Sequence, residues 1–306
     1  MKAARAALLL AAVLLPTLAP GGDSKESEKT PAENDYRVVE DRLTPLAKLL
    51  GPPRPGEWLD NHKEDGQTFR QYVDADPVRR GPARSTIYLC LLGDFTPAQQ
   101  RVLDATREYL RVFFDAPVTV HKRVPLKDVP GRARRVHPKS GDSQVLTTYV
   151  LDELLKPERP DDALAYVAFT SSDLWPGEGW NFVFGQASLR ERTGVWSIYR
   201  LGDPAAGDAW YSRCLQRTLG TASHEIGHIL TMEHCTTYEC SMNGSDSLEE
   251  SDRKPLHLCP TCLRKVCWNL RVEPTAYLER LRRFCAANGL EDEREWYRRA
   301  SEALRK

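Results

Sequence analysis

The chain has 306 residues, and its 43 lysines and arginines are balanced by 43 aspartates and glutamates. That balance excludes an overall electrostatic pull toward nucleic acid or an anionic membrane. An apolar fraction of 41% is ordinary for a chain that builds a core, and no internal repeat is present.

Residues 1–22 read as a secretory signal. Lys2 and Arg5 give a basic start, Ala6 to Leu15 is apolar but too short to span a bilayer, and small residues with Pro20 follow. The expected location is therefore secreted or periplasmic, with no stable membrane insertion once the signal is removed; an uncleaved anchor is the alternative. Residues 23–35 are polar and read as a flexible linker. About 270 residues then remain, enough for one large core or two small subdomains.

Residues 36–83 are expected to form an extension packing on the main domain. Thr44 to Leu50 suggests a short helix stopped by Gly51, Pro52 and Pro53, and Gly56 to Val73 shows aromatics without a clean period. The main domain is expected over 84–272. Thr86 to Leu92 is an apolar run of strand length. Asp94 or Thr96 can cap the next helix, with Pro97 at its first position and Val102, Thr106, Tyr109, Leu110 and Phe113 on its apolar face. Val118 to Val124 predicts a second strand. Val129 to Ser143 reads as a loop with His137 solvated, Gln144 to Leu155 as a helix and Ala163 to Thr170 as a third strand. Leu174 to Leu189 concentrates aromatics; Phe182 and Phe184 are expected to face the core with Val183 outward. Val195 to Tyr199 predicts the next strand, and Asp203 to Asp208 a loop. Cys214, Leu215, Leu219, Ala222, Ile226, Ile229 and Leu230 then recur at helical spacing. Leu263 to Val272 is short and mixed. Residues 273–306 read as C-terminal helices: Pro274 to Ala287, stopped by Asn288-Gly289, and Glu291 to Leu304, whose arginines alternate with glutamates as on a solvated face.

The chemistry concentrates in Thr221 to Cys262, where His224, His228 and His234 lie close together with four of the eight cysteines. His224 and His228 are four apart, so a helix presents both imidazoles on one face, where they can grip one Zn²⁺. Glu225 lies to the side of that face, within reach of a water on the metal without being a ligand. His234, beyond the helix end, can supply a third imidazole and leave the fourth position to water, a catalytic arrangement. Cys235, Cys240, Cys259 and Cys262 form a C-x4-C and a C-x-x-C pair. These suit a closed tetrahedral thiolate site, a structural zinc. Export favours the competing reading, two disulfides. Cys90, Cys214, Cys267 and Cys285 are either buried thiols or bridged, with partners that spacing does not reveal.

The order His224, Glu225, His228, His234, Cys235, Cys240, Met242, Cys259, Cys262 resembles the zinc signature of the archaemetzincin family, in the metzincin clan of metallopeptidases. The resemblance covers roughly residues 46–270. It implies that His224, His228 and His234 bind a catalytic zinc, that Glu225 is the general base and that Met242 sits in the turn beneath the metal. It also implies a second, structural zinc on Cys235, Cys240, Cys259 and Cys262. The implied fold is α/β (α+β): a metzincin-like catalytic domain with a mixed twisted sheet, a long zinc-binding helix and a smaller C-terminal subdomain. The stretch Gly56 to Val73 resembles the N-terminal extension of animal-type members, and Trp180 to Ala187 a run just before the family's cleft-bordering strand, which pairs with an extended peptide. The implied function is a zinc-dependent peptidase acting on a peptide or protein, with aminopeptidase character; the rival is an inactive zinc module that binds peptides or a protein partner. Thr231 departs from the pattern, which has glycine there. A β-branched residue is poor at positive φ, which favours a different end to the helix and leaves the placement of His234 open, though all the zinc-ligand types are kept.

Overall fold

The computed structural model describes residues 36–306; the secretory signal and linker expected over 1–35 lie outside them. In chain order the extension forms α1 (Arg37–Leu43), α2 (Trp58–Asn61) and α3 (Phe69–Asp74). There follow β1 (Thr86–Leu92), α4 (Pro97–Phe113), β2 (Val118–Val124), β3 (Arg134–Val136) and β4 (Ser143–Leu146). After a π-helical stretch (Tyr149–Leu155) come β5 (Ala163–Thr170), β6 (Asp173–Trp175), β7 (Gly185–Ser188) and β8 (Thr193–Ser197). The rest is helical: α5 (Asp208–Ile229), α6 (Leu248–Ser251), α7 (Pro260–Leu270), α8 (Pro274–Ala287) and α9 (Glu291–Arg305). Among the described residues no helix is long and apolar enough to cross a membrane.

The main sheet runs β2-β1-β5-β8-β7, parallel except for β7, which lies antiparallel at the edge. Alternation along β1 sends Ile87, Leu89 and Leu91 to one face and Cys90 and Leu92 to the other. The first face is covered by α4 and α5, with α8 packed behind α4; the second by the π-helical stretch and β4. Because both faces are covered, β5 is buried at every residue, as its unbroken apolar run requires. A small sheet, β3-β4-β6, carries the second core outward. The arrangement is the expected α/β one. Thr96 caps α4 in a reciprocal box with Gln99, and Pro97 takes the first helical position.

Several local expectations change. The helix expected over Thr44 to Leu50 lies earlier, as α1 followed by a 3-10 turn at Thr44–Leu46. Val39 and Leu43, four apart, are its buried pair. Lys48 and Leu50 instead pair by backbone with Thr237 and Glu239. Residues 129–143 are not all loop, since β3 lies there, and His137 is buried rather than solvated, its Nδ1 accepting from the Ser140 amide at 3.0 Å. Gln144 to Leu155 splits into strand and π-helix. Gln144 is drawn in by the Asp173 carboxylate at 2.7 Å and the Asn181 carbonyl at 2.8 Å, a tertiary pull that outweighs helical spacing. Val183 points inward, bonded to Leu174 and packed in the second core, while Phe182 lies under the Arg200 guanidinium at 3.6 Å. Leu263 to Val272 is mostly helix α7, because Cys259 caps it with its sulfur and Pro260 opens it.

The zinc-signature helix α5 ends in the glycine-type manner despite Thr231. The Thr231 amide bonds to the His228 carbonyl at 2.7 Å and the Met232 amide to the Gly227 carbonyl at 3.0 Å, which is a Schellman turn. Thr231 takes φ +71, the left-handed value a glycine would supply. The different helix end that Thr231 suggested does not occur, and the extension shows why. The Thr231 hydroxyl accepts from the Val78 amide at 3.2 Å, and its carbonyl accepts from the Gln67 amide group at 3.2 Å. These bonds offset a left-handed cost of about 1–2 kcal/mol. Thr231→Val keeps the strain and removes the acceptor, so urea unfolding should show a loss of about 1–2 kcal/mol. Thr231→Gly removes both and should stay within about 1 kcal/mol of the parent. Equal losses in the two variants would contradict this balance.

Candidate metal centre

Helix α5 carries His224 and His228 one turn apart, and the Schellman turn brings His234 back over them. The ring centroids lie 4.6 Å apart for His224 and His228, 4.8 Å for His228 and His234, and 5.3 Å for His224 and His234. All three are buried. Each ring is held through Nδ1: His224 to the Ser241 carbonyl at 2.8 Å, His228 to the Met232 carbonyl at 2.6 Å, and His234 to the Glu64 carboxylate at 2.9 Å. A carbonyl or carboxylate only accepts, so Nδ1 carries the proton and Nε2 keeps its lone pair.

This leaves His224 Nε2 and His228 Nε2 facing each other at 3.0 Å with no proton between them. Two lone pairs at that distance repel unless a cation lies beside both. The ligand atoms of the three histidines all fall within 4.8 Å of one another. A tetrahedral zinc with nitrogen bonds of about 2.0–2.1 Å would separate them by about 3.3 Å, so the donor set fits that ion. Burial drives the His228 pKa down to about 3 and that of His224 well below its ordinary value, the second helped by the nearby Lys254 charge. At neutral pH both rings are therefore uncharged, with the Nε2 lone pair free.

Glu225 is buried beside the three histidines, and burial pushes its pKa up to about 7 against the pull of the Lys254 ammonium. A carboxylate poised there can take and give a proton near neutrality; a bound dication would lower it. The Lys254 ammonium donates to the Asn243 carbonyl at 2.9 Å and the Ser245 hydroxyl at 3.1 Å, and desolvation lowers its pKa to about 8. Nothing in the sequence marked Lys254 as part of this site. Met242 is buried under α5, and Gly227 makes room for it: a Cβ there would sit 2.7 Å from the Met242 sulfur.

Cys235, Cys240, Cys259 and Cys262 form a second cluster, buried and with their sulfurs within 4.8 Å of one another. Cys235 and Cys259 sulfurs are 3.6 Å apart, far from a bonded pair and close to the edge of about 3.8 Å that a tetrahedral zinc thiolate site requires. All eight cysteines are free, so neither the two-disulfide reading nor any bridge among the remaining four appears. Backbone amides point at the sulfurs: Met242 and Cys259 donate to Cys240 at 3.4 and 3.2 Å, and Cys262 to Cys259 at 3.5 Å. Hydrogen bonds to the neighbouring sulfurs, with burial, hold the Cys262 thiol well above its ordinary pKa; burial and the same bonds do so for Cys240, while they pull Cys235 below its own. Four adjacent thiolates are stable together only around a cation.

The two clusters share a scaffold. His234 and Cys235 are adjacent, and Ser241, whose carbonyl orients His224, lies between Cys240 and Met242. The buried Asn243 amide donates to the Cys235 carbonyl at 2.6 Å and the Tyr238 carbonyl at 2.9 Å, closing the loop between the sites. Every residue of the zinc signature is thus brought into one of two neighbouring groups. The extension adds residues that sequence reasoning missed. Glu64 reaches His234, and Trp58 packs edge-on against His234 at 4.8 Å and stacks on His62 at 3.9 Å. Glu64 lies 170 residues before His234, and no spacing rule connects them.

A family model described as peptidase family M54 matches residues 95–267, more than half of the chain. Archaemetzincin-2 of Homo sapiens is 32% identical over 271 residues, covering 76% of this chain and 73% of that protein. The archaemetzincin of Thermococcus kodakarensis is 38% identical over 130 residues, covering 42% of this chain and 69% of its own. Among solved structures, an archaemetzincin from Methanopyrus kandleri aligns at 28% identity and a TM-score of 0.49, covering 63% of this chain and 99% of that one. The matched segment contains both clusters whole, and with relatives alike over most of their length the chain belongs to the archaemetzincin family, peptidase family M54, and is a zinc metallopeptidase.

Proposed function

We propose that the protein hydrolyses peptide bonds using two zinc ions, one held by the Nε2 atoms of His224, His228 and His234 and one by the sulfurs of Cys235, Cys240, Cys259 and Cys262. The observation that carries this is the pair of buried donor sets, each too crowded with lone pairs or thiols to be at rest without a cation. A zinc at the histidine site would supply a Lewis acid for the scissile carbonyl and acidify a water. Glu225, buried beside the three histidines, accepts the proton of the attacking water and returns it to the leaving amine. Lys254 keeps a positive charge near that carboxylate. The edge strand β7, half-buried along its length, leaves backbone groups for an extended peptide, and it lies against α5. The cysteine site has no open position and works as a clamp on the loop carrying His234 and Ser241. Aminopeptidase character is part of the same reading, supported by the family resemblance, and export is supported by the basic, then apolar, start of residues 1–22.

Metal analysis of protein purified without chelator or reductant should give two zincs per chain, and denaturation in chelator should then release eight titratable thiols. Fewer thiols with one zinc would return the cysteines to disulfides. Glu225→Gln should keep both zincs while lowering peptide turnover by about 10²–10⁴-fold, the usual weight of a general base. Unchanged turnover would remove Glu225 from the proton relay, and no turnover in the parent protein would favour the inactive zinc module. Peptides with a free amino terminus should be cut faster than their N-acetylated forms; equal rates would indicate an endopeptidase. Amino-terminal sequencing of exported protein should start near Asp23, and a chain retaining Met1 would overturn signal cleavage.

A further inference from the structure

His234 stands apart from the other two histidines in what holds it. His224 and His228 donate Nδ1–H to neutral backbone carbonyls supplied by their own neighbourhood, Ser241 and Met232. His234 donates to a carboxylate, Glu64, whose two oxygens lie 3.1 and 2.9 Å from Nδ1. It is also the one histidine of the three that is not on α5, so no helix fixes its ring.

The segment bearing Glu64 is sewn along the loop that carries His234. The Gln67 side chain bonds at both ends, its amide donating to the Thr231 carbonyl at 3.2 Å and its oxygen accepting from the Glu233 amide at 3.3 Å. The Thr236 hydroxyl donates to the Asp65 carbonyl at 3.2 Å. Gly66 permits this approach: it has φ +75, and a Cβ would meet the Thr236 hydroxyl at 2.5 Å. On the far side the buried Lys265 ammonium donates to the Gln67 carbonyl and side chain, anchoring the segment to α7. Trp58 closes over His234, occupying space that Gly244 leaves open. These contacts flank His234 on both sides in sequence, and Glu64 reaches its Nδ1 directly.

We propose that Glu64 is a positioning residue of the metal centre, a carboxylate that fixes the tautomer and orientation of His234 from the amino-terminal extension. The assignment rests on the reading that His224, His228 and His234 hold zinc. A carboxylate that accepts from the outer nitrogen of an imidazole ligand makes the inner nitrogen a stronger donor, and removing such partners typically weakens metal binding by about 10- to 100-fold. The extension is therefore part of the centre rather than packing alone.

The test uses the full chain, with Glu64→Gln and Glu64→Ala. Each protein is loaded with zinc, titrated with a graded chelator series and its residual metal counted. Cobalt substitution distinguishes the sites, because only the cysteine site gives sulfur-to-cobalt absorption in the near ultraviolet. Glu64→Ala should weaken the histidine site by about 10- to 100-fold and leave the cysteine site unmoved as an internal reference. Glu64→Gln, which keeps the shape and an accepting oxygen but not the charge, should recover part of the loss; it also carries the test should the alanine variant fold poorly. Histidine-site affinity within about twofold of the parent in both variants would overturn the proposal, as would equal weakening of both sites, which means general loosening. A parent protein that holds no metal at the histidine site would instead overturn the zinc reading itself, and the role of Glu64 with it.

Discussion

Three imidazoles must be held with their lone pairs converging in a buried space, and much of the surrounding architecture serves that constraint. Free imidazoles would rotate or protonate to escape the repulsion. Here each outer nitrogen is tied, to Ser241, Met232 or Glu64, and burial holds His224 and His228 in their neutral form. The arrangement is preorganised for a cation, so the metal need not collect its ligands from mobile chains.

Each tie belongs to a different part of the fold. The Met232 carbonyl is placed by the Schellman turn that ends α5, and that turn needs a left-handed residue at Thr231. The Ser241 carbonyl is placed by the loop that Asn243 ties to the Cys235 and Tyr238 carbonyls. Glu64 comes from the extension, whose Gln67 and Val78 also support Thr231. The extension thus compensates for the missing glycine and bonds the His234 ring at once. This links two departures that look unrelated in the sequence: a threonine in the signature and a long segment ahead of the first strand.

The sheet contributes rigidity and an edge. The three central parallel strands, β1, β5 and β8, are largely buried, and the sheet holds α5 through its apolar stripe of Leu215, Leu219, Ala222, Ile226 and Ile229. The antiparallel edge strand β7 lies against the same helix, so a peptide paired with that edge would share its rigid frame with the ligands.

The amino-acid sequence by itself determined what depends on near neighbours. The four-residue spacing of His224 and His228, the capping of α4 by Thr96 and Pro97, the apolar runs of β1 and β5, the alternation of β2, and the two closing helices are local, because propensity and burial agree there. The grouping of the zinc-signature residues was legible for the same reason: they lie within a few dozen positions. Only the tertiary structure decided the rest. Gln144 left a helical pattern for a strand because Asp173 and Asn181 offered partners, and His137 was buried by its own turn. Thr231 kept the glycine conformation because distant residues supplied hydrogen bonds. Glu64 and Lys254 entered the centre from segments with no motif. Their roles come from pairing across long stretches of chain, and such pairing is set by how the core packs, which no local spacing encodes.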